Sequence, residues 1–531
     1  MMKKVIKKLL AALLAVAMLC AMAIPAFADT EGDITTWHSF SAFQIFTGDV
    51  TGNNIDDFKI SNVGWGSNIT EPDLFLAKLK EDPTIGNQFK DAATVQDVLA
   101  VISKWRDSDN NSIAFARFVC SYLYPDTDAN PTPAVPGGSS SLTFNEAGYY
   151  LIVDTTDFKP GDSYHAYNSF LLKVTKANYN IDITPKAEKP TVEKKVYDNQ
   201  DGTSNKEGFY SSADHAINEE FQFQLIATLP ASGDRAYDYY NEYAVLFHDT
   251  LSEGITYDKL DSVVIESNDD TYDITNENSK YNVDISHLES SNYFAVVIPD
   301  VKACGEGLNL NDGATITVTY TAHLNENAYV NTGNGQTENK NEVQLQYSNN
   351  PKNSSYWGVT PKDEVCVYTY QLNNTKHQNT ESGPVLQGAG FRLYSDEACT
   401  GEQEIKLKKN DDGTYSRDFS AGATGVEMTS DKDGKFNVKG LDAGTYYLKE
   451  TTTPTGYNTC PNTRIVISAT HTNNDVTLSS ESNLTNDIVN KSGTTLPSTG
   501  GMGTTLFYVV GGGLMVAAIV LLVTKKRREN K

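Results

Sequence analysis

The sequence predicts a mostly β chain of three tandem immunoglobulin-like sandwich domains, the first with some helix, between an N-terminal signal peptide and a C-terminal transmembrane helix. Tyr, Thr, Val and Ile recur in short alternating runs, which is typical of strands buried on one face. Turn signals such as Asp412-Gly413 and Asp433-Gly434 separate these runs. Many short strands spaced in this way favour sandwiches over a parallel α/β sheet. The length of 531 residues suits about three domains.

Helical periodicity is confined to the first part of the chain. The segments "PDLFLAKLKED" (72–82) and "TVQDVLAVISKWRDS" (94–108) carry apolar residues at helical spacing. We therefore expect the first domain to be mixed, and the two that follow to be built from strands.

The N-terminal 28 residues have the organisation of a secretory signal peptide. A basic start is followed by an apolar run that ends at Pro25, and Ala26 and Ala28 give the small-x-small pattern of a cleavage site. We therefore expect an exported protein that begins near Asp29.

The C-terminal residues 496–531 combine three features in a fixed order. Leu496-Pro497-Ser498-Thr499-Gly500 precedes an apolar stretch (506–524) long enough to span a bilayer, and a basic tail then favours the cytoplasmic side. This order resembles the LPXTG cell-wall sorting signal of Gram-positive surface proteins. The resemblance implies that a sortase cleaves between Thr499 and Gly500 and holds Thr499 as a thioester, which an amine attacks. Peptidoglycan is then the anchoring partner.

Charge and motif content argue against several functions. The net charge of −25 becomes more negative when both basic ends are lost, which argues against binding nucleic acid or anionic lipid. The eight His residues form no H-E-x-x-H motif, and no phosphate-binding glycine loop precedes a helix. The segments "DSDNNS" (107–112) and "DKDG" (431–434) lack the Glu at position twelve of a calcium loop, so we expect turns there. We expect no enzyme activity, no cofactor and no metal.

Proline-rich and charged segments suggest the domain boundaries. They are "ITPKAEKPTVEKKV" (183–196) and "YSNNPKNSSYWGVTPKDEV" (347–365). The predicted organisation is a signal peptide (1–28), three domains (29–187, 188–362 and 363–495) and the sorting signal (496–531).

A carboxylate in the third domain occupies a position that should face the core. In "TYYLKETTTPTGY" (445–457), Leu448 and Glu450 share one face of a strand. Burying a lone charge is costly, so the group must be paired or protonated. The segment resembles the acidic strand of the collagen-adhesin B-type sandwich of Gram-positive pilins and adhesins. That resemblance implies a buried acid that promotes an isopeptide bond between a Lys and an Asn on neighbouring strands.

The third domain offers partners for Glu450 at its two ends. Lys376 in "VYTYQLNNTKHQ" and Asn490 in "LTNDIVNKSG" share parity with apolar neighbours. Asn486 lies on the same face as Asn490 and is the alternative. The resemblance makes Lys376, Glu450 and Asn490 the predicted trio.

The second domain repeats this pattern of first-strand Lys, inward acid and last-strand Asn. Lys194 shares a face with Val192 and Val196, and Asp249 lies among inward apolar residues. In "KNEVQLQY", Asn341 shares a face with Val343, Leu345 and Tyr347. These segments resemble the middle domain of backbone pilins. Burial lowers the pKa of an amine and raises that of a carboxyl, which suits a Lys nucleophile beside an acid. The second predicted trio is Lys194, Asp249 and Asn341.

A lysine near the first boundary is the candidate for joining subunits. The segment "NYNIDITPKAEK" (178–189) resembles the pilin motif, although Thr184 replaces its Tyr and Ala177 stands at the position of its Trp. The resemblance implies that Lys186 attacks the Thr499 thioester of an identical subunit, which chains subunits head to tail. Lys189 is the alternative nucleophile.

Five cysteines remain after the signal peptide. Cys399 and Cys460 resemble the disulfide pair that some shaft pilins carry in their last domain. No partner can be assigned to Cys120, Cys304 or Cys366.

Nearly the whole chain resembles a major (backbone or shaft) pilin of sortase-assembled Gram-positive pili. This implies a wall-attached surface fibre that supports adhesion, with accessory pilins and an unknown adhesion target as further partners. Three alternatives remain: an LPXTG-anchored adhesin that is not polymerised, an accessory tip or base pilin, and a wall-attached enzyme with a cleft in the first domain.

Overall fold

The computed structural model describes residues 39–51, 59–105, 109–123, 132–138, 141–156, 170–174, 179–182, 189–199, 206–232, 235–332, 338–351, 357–493 and 502–529. The predicted signal peptide, Lys186 and the pentapeptide 496–500 lie outside these ranges.

The first domain pairs a β-sheet with a helical layer. Strand order in its main sheet is β2-β1-β5-β6, with β3 beside β1, and β4 pairs with β7 in a second sheet. The strands are β1 (Phe40–Thr51), β2 (Lys59–Trp65), β3 (Val135–Gly138), β4 (Ser141–Phe144), β5 (Gly148–Asp154), β6 (Phe170–Val174) and β7 (Tyr179–Asp182).

Side chains that alternate along β1 pack into two different hydrophobic cores. Phe43 and Ile45 pack with helical residues, whereas Phe40 and Ala42 pack with residues of β4 on the other face. The helices are α1 (Pro72–Glu81), α2 (Val95–Ile102) and α3 (Asn110–Leu123).

Two of these helices match the predicted segments, and one was not predicted. Helix α2 begins at a capping box in which Thr94 and Asp97 satisfy each other's backbone N–H groups. Helix α3 begins inside the polar run 107–112, which the sequence favoured as a turn. Its buried face, which includes Phe115 and Val119, packs in the same core as α1.

The second domain is a sandwich of two sheets with one shared core. One sheet has the order β14-β13-β17-β11-β8-β9, and the other has β10-β20-β18-β12-β16-β15 with β19 beside β18. The elements are β8 (Thr191–Asp198), β9 (Gly208–Tyr210), β10 (Ser212–Asp214), β11 (Glu220–Leu229), β12 (Val245–Leu251), β13 (Ile255–Ser267), β14 (Asp270–Asp273), β15 (Asn282–Asp284), α4 (Leu288–Ser291), β16 (Tyr293–Ile298), β17 (Ala314–Leu324), β18 (Asn339–Ser348), β19 (Trp357–Val359) and β20 (Asp363–Tyr368).

The third domain is also a sandwich. Its sheets have the orders β24-β25-β27-β21-β32 and β23-β22-β28-β29, with β26 beside β22 and a separate β30-β31 hairpin. The strands are β21 (Tyr370–Gln378), β22 (Gly390–Tyr394), β23 (Glu404–Ile405), β24 (Leu407–Lys409), β25 (Tyr415–Arg417), β26 (Met428–Thr429), β27 (Val438–Leu441), β28 (Gly444–Thr452), β29 (Thr463–Ile467), β30 (Ala469–Thr472), β31 (Asp475–Leu478) and β32 (Thr485–Asn490).

The boundary between the second and third domains differs from the prediction. The sequence placed Asp363 at the start of the third domain, but β20 pairs antiparallel with β18 and parallel with β10 in the second sandwich. The predicted boundary at 362/363 is therefore wrong: the proline-rich junction precedes the last strand of the second domain. The third domain begins at β21, directly after Thr369.

The C-terminal helix α5 (Met502–Glu529) matches the apolar segment of the sorting signal. Val509–Arg528 is long and apolar enough to cross a membrane, and none of it is buried against the rest of the protein.

Candidate covalent cross-link sites

In the third domain, the predicted trio meets between the two sheets. Lys376 lies on β21 and Asn490 on β32, and these strands pair in parallel with Gln378 opposite Asn490. Glu450 comes from β28 in the facing sheet. The first and last strands of this domain are therefore direct neighbours, with the acid above them.

The three side chains form a continuous hydrogen-bonded chain. Nζ of Lys376 donates to Oδ1 of Asn490 at 2.5 Å, and Nδ2 of Asn490 donates to Oε1 of Glu450 at 2.6 Å. The other carboxylate oxygen accepts the backbone N–H of Cys460 at 2.7 Å. All three members are at most 5 % exposed. The amine thus reaches the amide group, and the carboxylate faces the amide nitrogen.

The surroundings of Lys376 favour a neutral amine. Burial lowers its pKa below the ordinary value, against the opposing influence of nearby Cys460 and Glu450. Nζ lies 5.4 Å from the centre of the Phe391 ring, which stacks on Phe436. An unprotonated lysine is the form that can attack a carbonyl carbon.

The alternative partner Asn486 belongs to a different contact. Its Nδ2 donates to Oδ1 of Asn374 at 3.1 Å and to the backbone oxygen of Asn483. The amide bonded to Lys376 is that of Asn490.

The second domain brings its trio together from opposite sheets. Lys194 lies on β8, paired with Leu225 of β11. Asp249 on β12 and Asn341 on β18 lie in the facing sheet, whose register places Asn341 opposite Leu251. A bond here would join the two sheets through the core.

A tyrosine completes this second site. Lys194 forms an ion pair with Asp249, and its Nζ also donates to the Tyr320 hydroxyl at 3.2 Å. The same hydroxyl lies 3.3 Å from both oxygens of Asp249 and accepts Nδ2 of Asn341 at 2.6 Å. Oδ1 of Asn341 is buried without a hydrogen-bond partner among the described residues. Tyr320 therefore connects the amine, acid and amide.

Burial shifts both ionisable members of this trio toward their neutral forms. It lowers the pKa of Lys194 and raises that of Asp249, while their mutual attraction opposes each shift. Lys194 also lies 5.3 Å from the Phe223 ring centre, so apolar groups surround the amine.

Sequence reasoning missed Tyr320, although a signal exists. Tyr320 has the same parity in β17 as the buried residues Ile316 and Val318. An inward phenol on a strand near three polar core positions requires a hydrogen-bond partner.

The predicted disulfide between Cys399 and Cys460 is wrong. Both residues are free thiols. The two groups have different environments. The Cys399 sulfur accepts Nδ2 of Asn462 at 3.2 Å, whereas Cys460 lies beside Lys376 and Glu450, where burial raises its pKa to about 11.

Comparison with known proteins gives three family matches. Residues 235–351 match the Gram-positive pilin backbone subunit 2, Cna-B-like domain. Residues 371–482 match the SpaA prealbumin-like fold domain, and residues 488–531 match the LPXTG cell wall anchor motif.

Similar proteins include surface and pilus proteins of streptococci. The chain is 26 % identical over 398 residues to the trypsin-resistant surface T6 protein of Streptococcus pyogenes serotype M6, covering 63 % of this chain and 68 % of that protein. The solved T6 backbone pilin aligns over 88 % of this chain and 98 % of its own, with 16 % identity and a TM-score of 0.47. The group B streptococcus pilus 2b backbone protein aligns over 54 % and 97 %, with 23 % identity and a TM-score of 0.38.

The family matches define the class of this protein: a cell wall-anchored surface protein of Gram-positive bacteria. Within that class it is a structural pilus subunit with pilin backbone domains, and not an enzyme. A sortase and peptidoglycan are the partners that its anchor implies.

Proposed function

We propose that this chain is the shaft subunit of a pilus, polymerised through Thr499 to Lys186 of the next subunit and reinforced by an isopeptide bond in each of its last two sandwiches. The observation that carries the proposal is the buried chain Lys376–Asn490–Glu450, in which amine, amide and carboxylate are already in contact. A second buried trio in the preceding sandwich supports it.

The chemistry in the third domain requires no external reactant. The neutral Nζ of Lys376 attacks Cγ of Asn490, so a C–N bond forms and the Cγ–Nδ2 bond breaks. The amine loses one proton, and the departing Nδ2 gains one and leaves as ammonia. Glu450 accepts a hydrogen bond from that nitrogen and is placed to relay the proton.

The same exchange can occur in the second domain between Lys194 and Asn341. Here the Tyr320 hydroxyl contacts both reacting side chains as well as Asp249. Asp249 and Tyr320 together can transfer the proton from the amine to the leaving nitrogen.

Joining of subunits follows the acyl-transfer logic of the sorting signal. A sortase cleaves after Thr499, and the Lys186 amine of another subunit resolves the thioester. Head-to-tail joining gives an open filament, whose last subunit transfers to peptidoglycan. Tension entering the third sandwich then crosses between its first and last strands through a covalent bond, and in the second sandwich the bond joins the first strand, β8, to β18. We propose accessory pilins and an adhesion target as further partners of such a fibre.

Intact mass spectrometry of the secreted mature chain tests the internal bonds. The mass should lie two ammonia molecules below the value calculated from the sequence. Glu450→Ala and Asp249→Ala should each raise the mass by that of one ammonia molecule. Asn486→Ala is the matched control and should leave the mass deficit unchanged. A wild-type chain of full calculated mass would refute both bonds.

Polymerisation is tested separately in cells. Lys186→Arg should abolish the ladder of polymers on denaturing gels, and Lys189→Arg is the matched control. If only Lys189→Arg removes the ladder, the linkage belongs to Lys189. Without a wild-type ladder the chain would be a single wall-anchored adhesin, whereas immunogold signal only at fibre ends would indicate an accessory pilin.

A further inference from the structure

The junction between the second and third sandwiches contains a buried cluster that the cross-linking chemistry does not use. His215 follows β10, Glu219 precedes β11, and Asp442 follows β27 of the third domain. One ligand atom of each lies within 4.8 Å of the others. His215 and Asp442 are 2 % and 3 % exposed, and Glu219 is half-buried.

The histidine has one ring nitrogen available to bind a ligand. Its Nε2 lies 2.7 Å from the backbone oxygen of Tyr197, which can only accept, so Nε2 carries the proton. Its Nδ1 is buried without a hydrogen-bond partner among the described residues. The ring also stacks on Phe221 at 4.0 Å, with an interplanar angle of 1°. A carbonyl on one ring nitrogen fixes the tautomer that leaves the other nitrogen as a ligand.

The two carboxylates are held close together, and among the described residues neither forms an ion pair with a group of opposite charge. Nδ2 of Asn199 bridges them, donating to Oε1 of Glu219 and to Oδ2 of Asp442, each at 3.3 Å. The backbone N–H of Ala216 donates to Glu219, and that of Ala443 donates to Asp442. Each carboxylate is therefore oriented by a backbone group of its own domain.

Electrostatics at this cluster favour a cation. Asp442 is buried close to two further carboxylates, those of Glu219 and Asp214. Asp214 itself is engaged by Tyr370 and by His471. A divalent ion between His215, Glu219 and Asp442 would offset the like-charge repulsion and give the unpaired imidazole nitrogen a partner.

We propose that His215, Glu219 and Asp442 form a binding site for a divalent transition-metal cation of the Zn²⁺ type, which ties the second sandwich to the third. One imidazole and two carboxylates, with water at a fourth position, suit Zn²⁺, whereas Ca²⁺ prefers six or more oxygen ligands. Since two ligands come from one domain and one from the next, binding requires the two sandwiches to be docked.

The test is calorimetric titration of the EDTA-treated mature chain with ZnCl₂. Wild type should bind one equivalent that His215→Gln and Asp442→Asn lose, together with a Zn²⁺-dependent rise in Tm that both variants lack. His323→Gln is the matched control, because the imidazole of His323 lies 2.8 Å from the Asp258 carboxylate and is not one of the three proposed ligands. All variants keep the cysteines, so Zn²⁺ bound by thiols is common to them and can be subtracted.

Two results would overturn the proposal. One is that wild type binds no Zn²⁺ beyond the amount taken up by its thiols. The other is that both variants retain the equivalent of Zn²⁺ that wild type binds. If the variants do not fold, wild-type crystals soaked in ZnCl₂ decide: an anomalous peak between the three side chains supports the site, and its absence rejects it.

Discussion

The amine nitrogen of Lys376 lies 2.5 Å from the amide oxygen of Asn490, although 114 positions separate the two residues. Their strands are parallel neighbours, so a bond between them closes nearly the whole third domain into a covalent ring. Several measurable consequences depend on this contact and on its counterpart in the second domain.

Asn490→Ala should restore the mass of one ammonia and destabilise the third domain. A cross-link closing a loop of this length limits the unfolded chain, and by analogy with disulfides its loss should cost about 3–5 kcal/mol. The measurement is urea unfolding followed domain by domain with hydrogen exchange. Asn486→Ala, which loses only side-chain hydrogen bonds, should cost about 1 kcal/mol. Equal losses would contradict a bond at Asn490.

Tyr320→Phe should slow bond formation in the second domain and leave the third unaffected. The substitution removes the hydroxyl that contacts Lys194, Asp249 and Asn341 while keeping the ring. The expected result is delayed loss of one ammonia in a time course of mass after refolding. Tyr257→Phe is a suitable control, because its ring packs 5.6 Å from that of Tyr320. Unchanged kinetics would mean that the hydroxyl has only a structural role.

The stability of an Asn490→Ala chain should increase with pH in the alkaline range. Burial lowers the pKa of Lys376 from 10.5, so the unfolded chain binds that proton more tightly than the folded chain. Between the lowered value and 10.5, raising the pH therefore favours folding. The urea concentration at the midpoint of unfolding, measured across this pH range, should therefore rise with pH.

Lys376→Met in the same background isolates the contribution of Lys376 from other groups that titrate in that range. The double variant should show a smaller increase in urea midpoint with pH. If the urea midpoint rose equally with pH in the single and the double variant, Lys376 would be solvated in the folded chain.

The mature chain should contain five titratable thiols without prior reduction, since the described cysteines form no disulfide with one another. Thiol reagent added in denaturant should count five. Reductant should leave Tm unchanged, because no disulfide is present to break. A count of three would reinstate one disulfide.

Alternation along strands made most of the two sites predictable. Lys194, Asp249 and Asn341, like Lys376, Glu450 and Asn490, are buried where strand parity placed them. Parity could not locate Tyr320, because facing neighbours come from sheet packing rather than from chain order. Helix α3 was missed because its polar first turn, "NNS", looks like a turn until its apolar face is packed.

Other failures have similar causes. The boundary near 362 was misplaced because a proline-rich segment can precede the last strand of a sandwich as well as follow it. The junction cluster combines residues from two domains, including Asp442, so no motif within one segment of the sequence predicts it.

The direct passage from β20 into β21 makes the connection between the last two sandwiches stiff. Thr369 alone separates the strands, and it is fully buried. Asn331 donates its backbone N–H to Thr369 and accepts that of Gln371, so the connection is clamped on both sides. Swivelling at this point would break those bonds, so curvature along a fibre of such subunits must arise at its other joints.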